Sequence, residues 1–335
     1  MPEIEIRPVL VDEIPTCAEI WRESLNDYIV RLNQHPIPDD LARITRIHRH
    51  LAETDPERFV VAIEPDGRGP DGKALDGNTP DGNTEPGRIV GFASAVIRDQ
   101  LWFLSMCFVR PAAQGRGIGR RMLEAILPPA GSGAILATAI DSAQPISNGL
   151  YSRYGIVARM PLFSISGYVT DPDSLPELPE GVLAVPFETI VGEAGGGAPG
   201  AGHRALAETV GALDRELLGV DHPQDHRYLR IEGRHGFLYR DTAGATLGYG
   251  YAWETGRVGP LAVLDRELVG PGLGHLLRAV PSRGAQAVWV PGAAGAAVTT
   301  LLAAGLRFED FPILVGWNRP FADFERYLPI SPGLL

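Results

Sequence analysis

The spacing of apolar and polar residues divides the chain into strand-like and helix-like stretches that occur in the same order twice. In the first half, a strand over Glu3–Arg7 leads to Asp12, read as the N-cap of an amphipathic helix that runs to about Leu32. A second helix is predicted over Pro38–Leu51, then strands over Arg58–Ile63, Arg88–Ile97 and Leu101–Val109. A helix over Gly117–Leu127 ends at Pro128–Pro129, which cannot continue it. A strand Ala134–Ile140, a helix Pro145–Tyr154 and a strand near Ala158–Tyr168 complete this half.

The second half repeats that order. Strand Val182–Phe187 precedes helical stretches His203–Leu218 and Gln224–Ile231, then strands Gly236–Tyr239, Thr246–Trp253 and Arg257–Leu264. A helix Leu273–Ala279, a strand Ala287–Val290, a helix Ala296–Ala304 and a strand Phe311–Trp317 close it. Gly115, Gly117 and Gly119 recur as Gly270, Gly272 and Gly274 at one constant offset, so two tandem copies of one domain are the simplest reading. The expected domains are 1–170 and 182–335, joined by a Pro-rich acidic linker over 171–181. Glu64–Gly87, rich in Asp, Gly, Asn and Pro, reads as a flexible loop capping a hairpin, and Gly192–Gly202 as a loop in the second half.

A length of 335 residues suits two domains, and 44% apolar with 21% charged residues is a globular balance. No apolar run is long enough to span a membrane, and the N-terminus has no basic region followed by an apolar stretch, so neither membrane nor secretion is expected. Two cysteines, Cys17 and Cys107, are too few for a disulfide framework, and no Cys or His pair is read as having zinc-ligand spacing. A reducing cytoplasm and no metal follow as expectations. The net charge of −11 argues against nucleic acid as a partner. Against that acidic background Arg116, Arg120 and Arg121 form a local basic patch.

That patch lies where an apolar strand, LWFLSMCFV, runs into RPAAQGRGIG and then a helix. A pyrophosphate needs several backbone N–H groups converging on one concavity, and a helix N-terminus supplies unpaired ones with a favourable dipole. Glycines let the backbone approach phosphate oxygens in conformations a Cβ would hinder. The dinucleotide fingerprint has a different glycine spacing, and a Walker A loop needs Gly-Lys-Ser/Thr, which is absent. A purely structural glycine turn is the other reading.

Gln114-Gly115-Arg116-Gly117-Ile118-Gly119 resembles the (R/Q)-x-x-G-x-(G/A) motif of the GCN5-related N-acetyltransferase (GNAT) family, and residues 1–168 have that family's element order. The resemblance implies an α/β (α+β) fold of two tandem GNAT domains. Each would be a mixed, mostly antiparallel sheet flanked by helices and opened between its fourth and fifth strands. It implies transfer of the acetyl group of acetyl-CoA to a primary amine by direct attack in a ternary complex. The backbone of Cys107 and Val109 would meet the acetyl and pantetheine arm. Gln114 to Arg120, including Ile118, would surround the pyrophosphate, and Gln144 stands where many members have a coenzyme-contacting asparagine. Tyr151, within Gly149-Leu150-Tyr151-Ser152-Arg153-Tyr154-Gly155, matches the tyrosine that often protonates the leaving thiolate. Its other reading is aromatic packing on a helix face.

No base announces itself; Glu23, Asp27 and Asp99 are candidates, each also readable as a surface carboxylate. Trp21, Tyr28, Trp102 and Met106 line the acceptor cleft or belong to the core. In the second copy, Val269 replaces Gln114, Pro271 replaces Arg116 and Leu301 replaces Tyr151, so that copy reads as degenerate. The arrangement also resembles mycothiol synthases, in which the C-terminal copy works, whereas here the intact motif is N-terminal. A non-catalytic acyl-CoA-binding regulatory protein is the alternative of another class. The acceptor is expected to be a small-molecule or peptide amine, and the protein a monomer or homodimer.

Overall fold

The computed structural model describes residues 4–65, 87–193 and 200–334. Most of the loop expected over 64–87, and the middle of the glycine-rich patch at 192–202, lie outside the described residues. The chain forms two compact units, Met1–Ile97 with Trp102–Ala134, and Arg98–Leu101 with Ile135–Leu335.

In the first unit, strands β1 (Glu5–Pro8), β2 (Phe59–Glu64), β3 (Arg88–Arg98) and β4 (Leu101–Val109) lie side by side in chain order. Helices α1 (Ile14–Ile29), α2 (Ala42–Thr54) and α3 (Ile118–Ile126) flank them. β2 and β3 pair antiparallel, Glu64 opposite Arg88, as the hairpin reading requires. Every residue of β2 is buried, which accounts for its unbroken apolar run. α2 presents Ile44, Ile47, His48 and Leu51 inward, at the helical spacing of one face. Trp102 is core: its indole N–H donates to Ile126 O at 2.9 Å, satisfying a carbonyl at the end of α3. Asp12 is not the cap of α1. It sits in a 3-10 turn, and the carboxylate that caps this turn is Glu13, which accepts from Leu10 N at 2.8 Å.

The second unit holds β5 (Ile135–Asp141), α4 (Pro145–Ser152), β6 (Val157–Gly167), β7 (Val182–Pro186) and α5 (Phe187–Glu193). α6 (Ala201–Leu217), α7 (Pro223–Ile231), β8 (His235–Asp241), β9 (Thr246–Ala252), β10 (Arg257–Val263) and α8 (Val269–Ala279) follow. β11 (Gln286–Pro291), α9 (Gly295–Ala303), β12 (Arg307–Trp317) and β13 (Tyr327–Leu328) complete it. The strand order is β5-β12-β6-β11-β10-β9-β8-β7. The last long strand of each repeat is therefore exchanged. β12 lies between β5 and β6 of the first repeat, with Val315 opposite Ala139 on one side and Met160 on the other. β6 lies between β12 and β11, with Ile165 opposite Val288. This exchange explains why the compact units divide ahead of β5 and not within 171–181.

The expected mixed, mostly antiparallel sheet flanked by helices holds. β10 and β11 are parallel, but they pair only at Arg257 and Val258 before diverging. Two elements start four residues earlier than the sequence pattern predicts. α8 starts at Val269 and not at Leu273, because Gly270, Pro271, Gly272 and Gly274 lie within the helix. β12 starts at Arg307, since it has a partner on each side and continues past an irregularity between Glu309 and Ile313. Among the described residues, no helix is long and apolar enough to cross a membrane.

Candidate functional site

β4 is buried from Leu101 to Met106 and becomes half-buried over Cys107, Phe108 and Val109. A 3-10 turn over Pro111–Ala113 reverses the chain and delivers Gln114 to the head of α3. Gly115 and Gly117 both take left-handed conformations, φ +76° and +75°, and an added Cβ at either would meet nothing within 4 Å. Their requirement is thus conformational, at roughly 1–2 kcal/mol for an L side chain, and not a lack of space. Gly117 is the N-cap of α3, with no side chain to satisfy the amides that follow.

Arg121 N–H is the first in α3 to bond a carbonyl upstream, Gly117 O at 3.1 Å. Among the described residues, the amides of Gly115, Arg116, Gly117, Ile118 and Gly119 make no backbone hydrogen bond outside regular elements. They form the row of unpaired donors that a helix N-terminus offers an anion.

The strand beside this turn is held firmly. Val109 O accepts both Ser24 Oγ at 3.0 Å and Gln114 Nε2 at 2.9 Å, so the Gln114 side chain folds back onto β4. A Cβ on Gly119 would lie 3.8 Å from Val109 Cγ2 and 4.0 Å from Cys107 Sγ, so α3 begins in van der Waals contact with the strand end. The three arginines differ in their engagement. Arg116 pairs with Glu64 at 2.7 Å, Arg121 donates to Ile4 O at 2.8 Å, and Arg120, the most exposed, lies 3.3 Å from Glu124. Glu64 and Ser24 were missed by sequence reasoning, because nothing near them in the chain marks a partner 52 or 85 residues away.

Gln144 and Tyr151 belong to the second unit. Gln144 is the residue before α4, and its carbonyl accepts from Asn148 Nδ2 at 2.9 Å, so Asn148 stabilises the helix start. Tyr151 lies on α4 and is buried. The candidate bases are all engaged. Glu23 ion-pairs with Arg110, Asp27 with Arg31, and Asp99, at φ +47°, accepts Asp221 N at 2.9 Å. Burial pushes the Cys17 thiol up to about 12, so it stays protonated and inert near neutrality.

The second copy keeps three glycines for a different reason. Gly270, Gly272 and Gly274 are buried inside α8, and none has a left-handed φ. An added Cβ at Gly274 would lie 2.3 Å from Pro176 O, and at Gly270 2.9 Å from Thr300 Oγ1. The 171–181 segment therefore packs onto α8, and Arg278 secures it by donating to Pro172 O and Pro176 O, each at 3.2 Å. Where β10 leaves β11, β13 pairs with β10 instead, Leu261 opposite Leu328 and Ala262 opposite Tyr327. Leu301, at the position of Tyr151, is fully buried in an apolar cluster. The second copy therefore differs from the first at the glycine turn and at the position of Tyr151.

Residues 23–156 match the acetyltransferase (GNAT) family model. No curated protein matches the sequence. Among solved structures, a Pyrococcus horikoshii protein assigned as an acetyltransferase aligns over 100% of this chain and 97% of its own, at 14% identity and TM-score 0.68. A GCN5-related N-acetyltransferase from Sphaerobacter thermophilus aligns over 96% and 98%, at 17% identity and TM-score 0.56. A tandem GNAT protein from the clavulanic acid biosynthesis pathway aligns over 95% and 99%, at 17% identity and TM-score 0.50. At such identities these likenesses carry the fold, and they do so over nearly the whole chain.

Proposed function

We propose that the chain, whose residues 23–156 match the acetyltransferase (GNAT) family model, transfers the acetyl group of acetyl-CoA to a primary amine, using its first copy alone. The row of unpaired amides over Gly115–Gly119, opened by two left-handed glycines, carries this reading. Those donors, with Arg120 beside them, suit a pyrophosphate. The fixed end of β4 at Cys107 and Val109 suits an extended pantetheine arm. The amine nitrogen attacks the thioester carbonyl, a C–N bond forms, and the tetrahedral oxyanion collapses as the C–S bond breaks. The departing thiolate takes the hydroxyl proton of Tyr151, which recovers one from solvent as the new amide nitrogen loses its own. With Glu23, Asp27 and Asp99 engaged elsewhere, the amine arrives already deprotonated, and kcat/KM rises with pH through the amine's own pKa.

The test is release of free thiol from acetyl-CoA over a panel of primary amines, comparing the wild type, Tyr151→Phe and Gly117→Glu. Tyr151→Phe is expected to lose about 10²-fold or more in kcat with acetyl-CoA affinity unchanged. Gly117→Glu, which sets a carboxylate among the phosphate donors, is expected to lose binding and turnover together. Undiminished turnover by Tyr151→Phe at every pH would remove Tyr151 from the acid role. Tight acetyl-CoA binding with no thiol released by any amine would instead make the chain an acyl-CoA-binding regulatory protein. A mycothiol-synthase-like activity would need a working C-terminal copy, and the burial of Gly270–Gly274 within α8 speaks against one.

A further inference from the structure

The second unit buries a polar cluster that acyl transfer does not use. Asp214 is on α6, His222 caps α7, and Asp225 and His226 lie in its first turn; all four are at most 4% exposed. Asp214 Oδ2 is their meeting point, 2.8 Å from His226 Nε2 and 3.3 Å from His222 Nε2. One oxygen of Asp214 and one nitrogen from each histidine all lie within 4.8 Å of one another.

Two of the three groups, Asp214 and His226, are also held from behind. Tyr249 donates its hydroxyl to Asp214 Oδ1 at 2.5 Å, and the Tyr251 hydroxyl lies 3.0 Å from His226 Nδ1. His222 Nδ1 faces Asp225 Oδ2 at 3.5 Å, and Asp225 is itself held by Arg98 through bonds of 2.8 and 2.9 Å. Such outer partners fix ring orientation and tautomer, as metal-binding imidazoles require.

A second observation comes from His222 itself. The ring is 1% exposed, yet neither nitrogen makes a hydrogen bond of acceptable geometry. Were the cluster held by a proton shared between His222 and the two carboxylates, charge-assisted bonds of about 2.7–2.9 Å would be expected. The observed separations, 3.3 and 3.5 Å without hydrogen-bond geometry, are longer than that arrangement gives. A ring nitrogen turned toward a carboxylate oxygen and a second imidazole does fit one vertex of a cation site.

We propose that Asp214, His222 and His226 bind a divalent transition metal ion, zinc by the chemistry of two imidazoles and one carboxylate, which ties α6 to α7. His222, the residue before α7, and His226 in its first turn are four apart in the chain, and their ring centroids lie 4.5 Å from each other. The expectation of no metal-ligand spacing overlooked this pair, whose third member lies upstream on another helix. The proposal does not rest on the acetyl-transfer reading. The cluster lies on α6 and α7 of the second copy, and the ion holds those two helices together.

The test uses the full chain grown in zinc-supplemented medium and purified without chelator, with metal content read by mass spectrometry. About one zinc ion per chain is expected in the wild type, falling at least tenfold in His222→Gln and His226→Gln. Chain refolded with a chelator should melt several degrees lower than chain refolded with zinc. Growth with cobalt should give visible ligand-field absorption that the His226→Gln chain lacks. Wild-type chain holding less than about a tenth of an ion, with identical melting whether refolded with zinc or with chelator, would overturn the site. It would leave the cluster as a hydrogen-bonded network. Metal content and melting of the wild type decide the matter even if both variants fail to fold, and neither depends on turnover.

Discussion

His48 sits on the inward face of α2 between Phe59 and Phe92, with ring centroids 5.9 and 5.0 Å away. It is fully buried, and neither ring nitrogen has a hydrogen-bond partner. Burial lowers its pKa to about 3, so the native state holds it neutral. The unfolded chain binds a proton there near the ordinary histidine value and the native state does not. The contribution is therefore intact above about pH 6.5 and is lost as pH falls from there toward 3. His48→Leu should be at least as stable as the wild type at pH 7, since an unpaired buried polar group costs about 1–3 kcal/mol. Its advantage in urea unfolding should widen by up to about 1.4 kcal/mol per pH unit between pH 6 and 4. A pH-independent difference would mean that His48 is not held neutral. At the same scale, the conformations of Gly115 and Gly117 were legible in the sequence, because a strand, a glycine-rich turn and a helix are local events. The Arg116–Glu64 pair was not, because its partner lies on another strand.

The glycine motif served less well in the second copy, where the same residue type meets a different need. Gly270 and Gly274 read as a turn from spacing, yet they are helical residues against which Thr300 and Pro176 pack. Gly274→Ala should therefore destabilise the chain by about 1–3 kcal/mol in denaturant melts while leaving acetyl-CoA affinity unchanged. Unchanged stability would mean that the 171–181 segment is not seated on α8 as described. The exchange of β6 and β12 was invisible to periodicity for a plain reason: an apolar strand reads the same whichever strand lies beside it. Its consequence is testable. A fragment of residues 1–170 has no β12 to place between β5 and β6, and should unfold without a cooperative transition. Mixing it with a fragment of residues 171–335 should restore one, by circular dichroism. Cooperative melting of the 1–170 fragment alone would show that the exchange is dispensable.

The chain as a whole carries two copies of one domain that differ around the glycine turn and at the position of Tyr151. The first keeps Gln114, the left-handed glycines, the unpaired amides and Tyr151 on α4. The second has its glycines within α8, pairs β13 where β10 leaves β11, and has the buried Leu301 at the position of Tyr151. Repetition and asymmetry were both readable from residue identities. How the second copy is closed was not, because β13 and the 171–181 segment fill it through long-range packing. On the proposed function the molecule holds one acyl-coenzyme site per chain, at Gly115–Gly119. Calorimetric titration of acetyl-CoA into the intact chain and into Gly117→Glu tests it most directly. The wild type is expected to bind about one equivalent and Gly117→Glu none. Two equivalents in the wild type, or undiminished binding by Gly117→Glu, would contradict it.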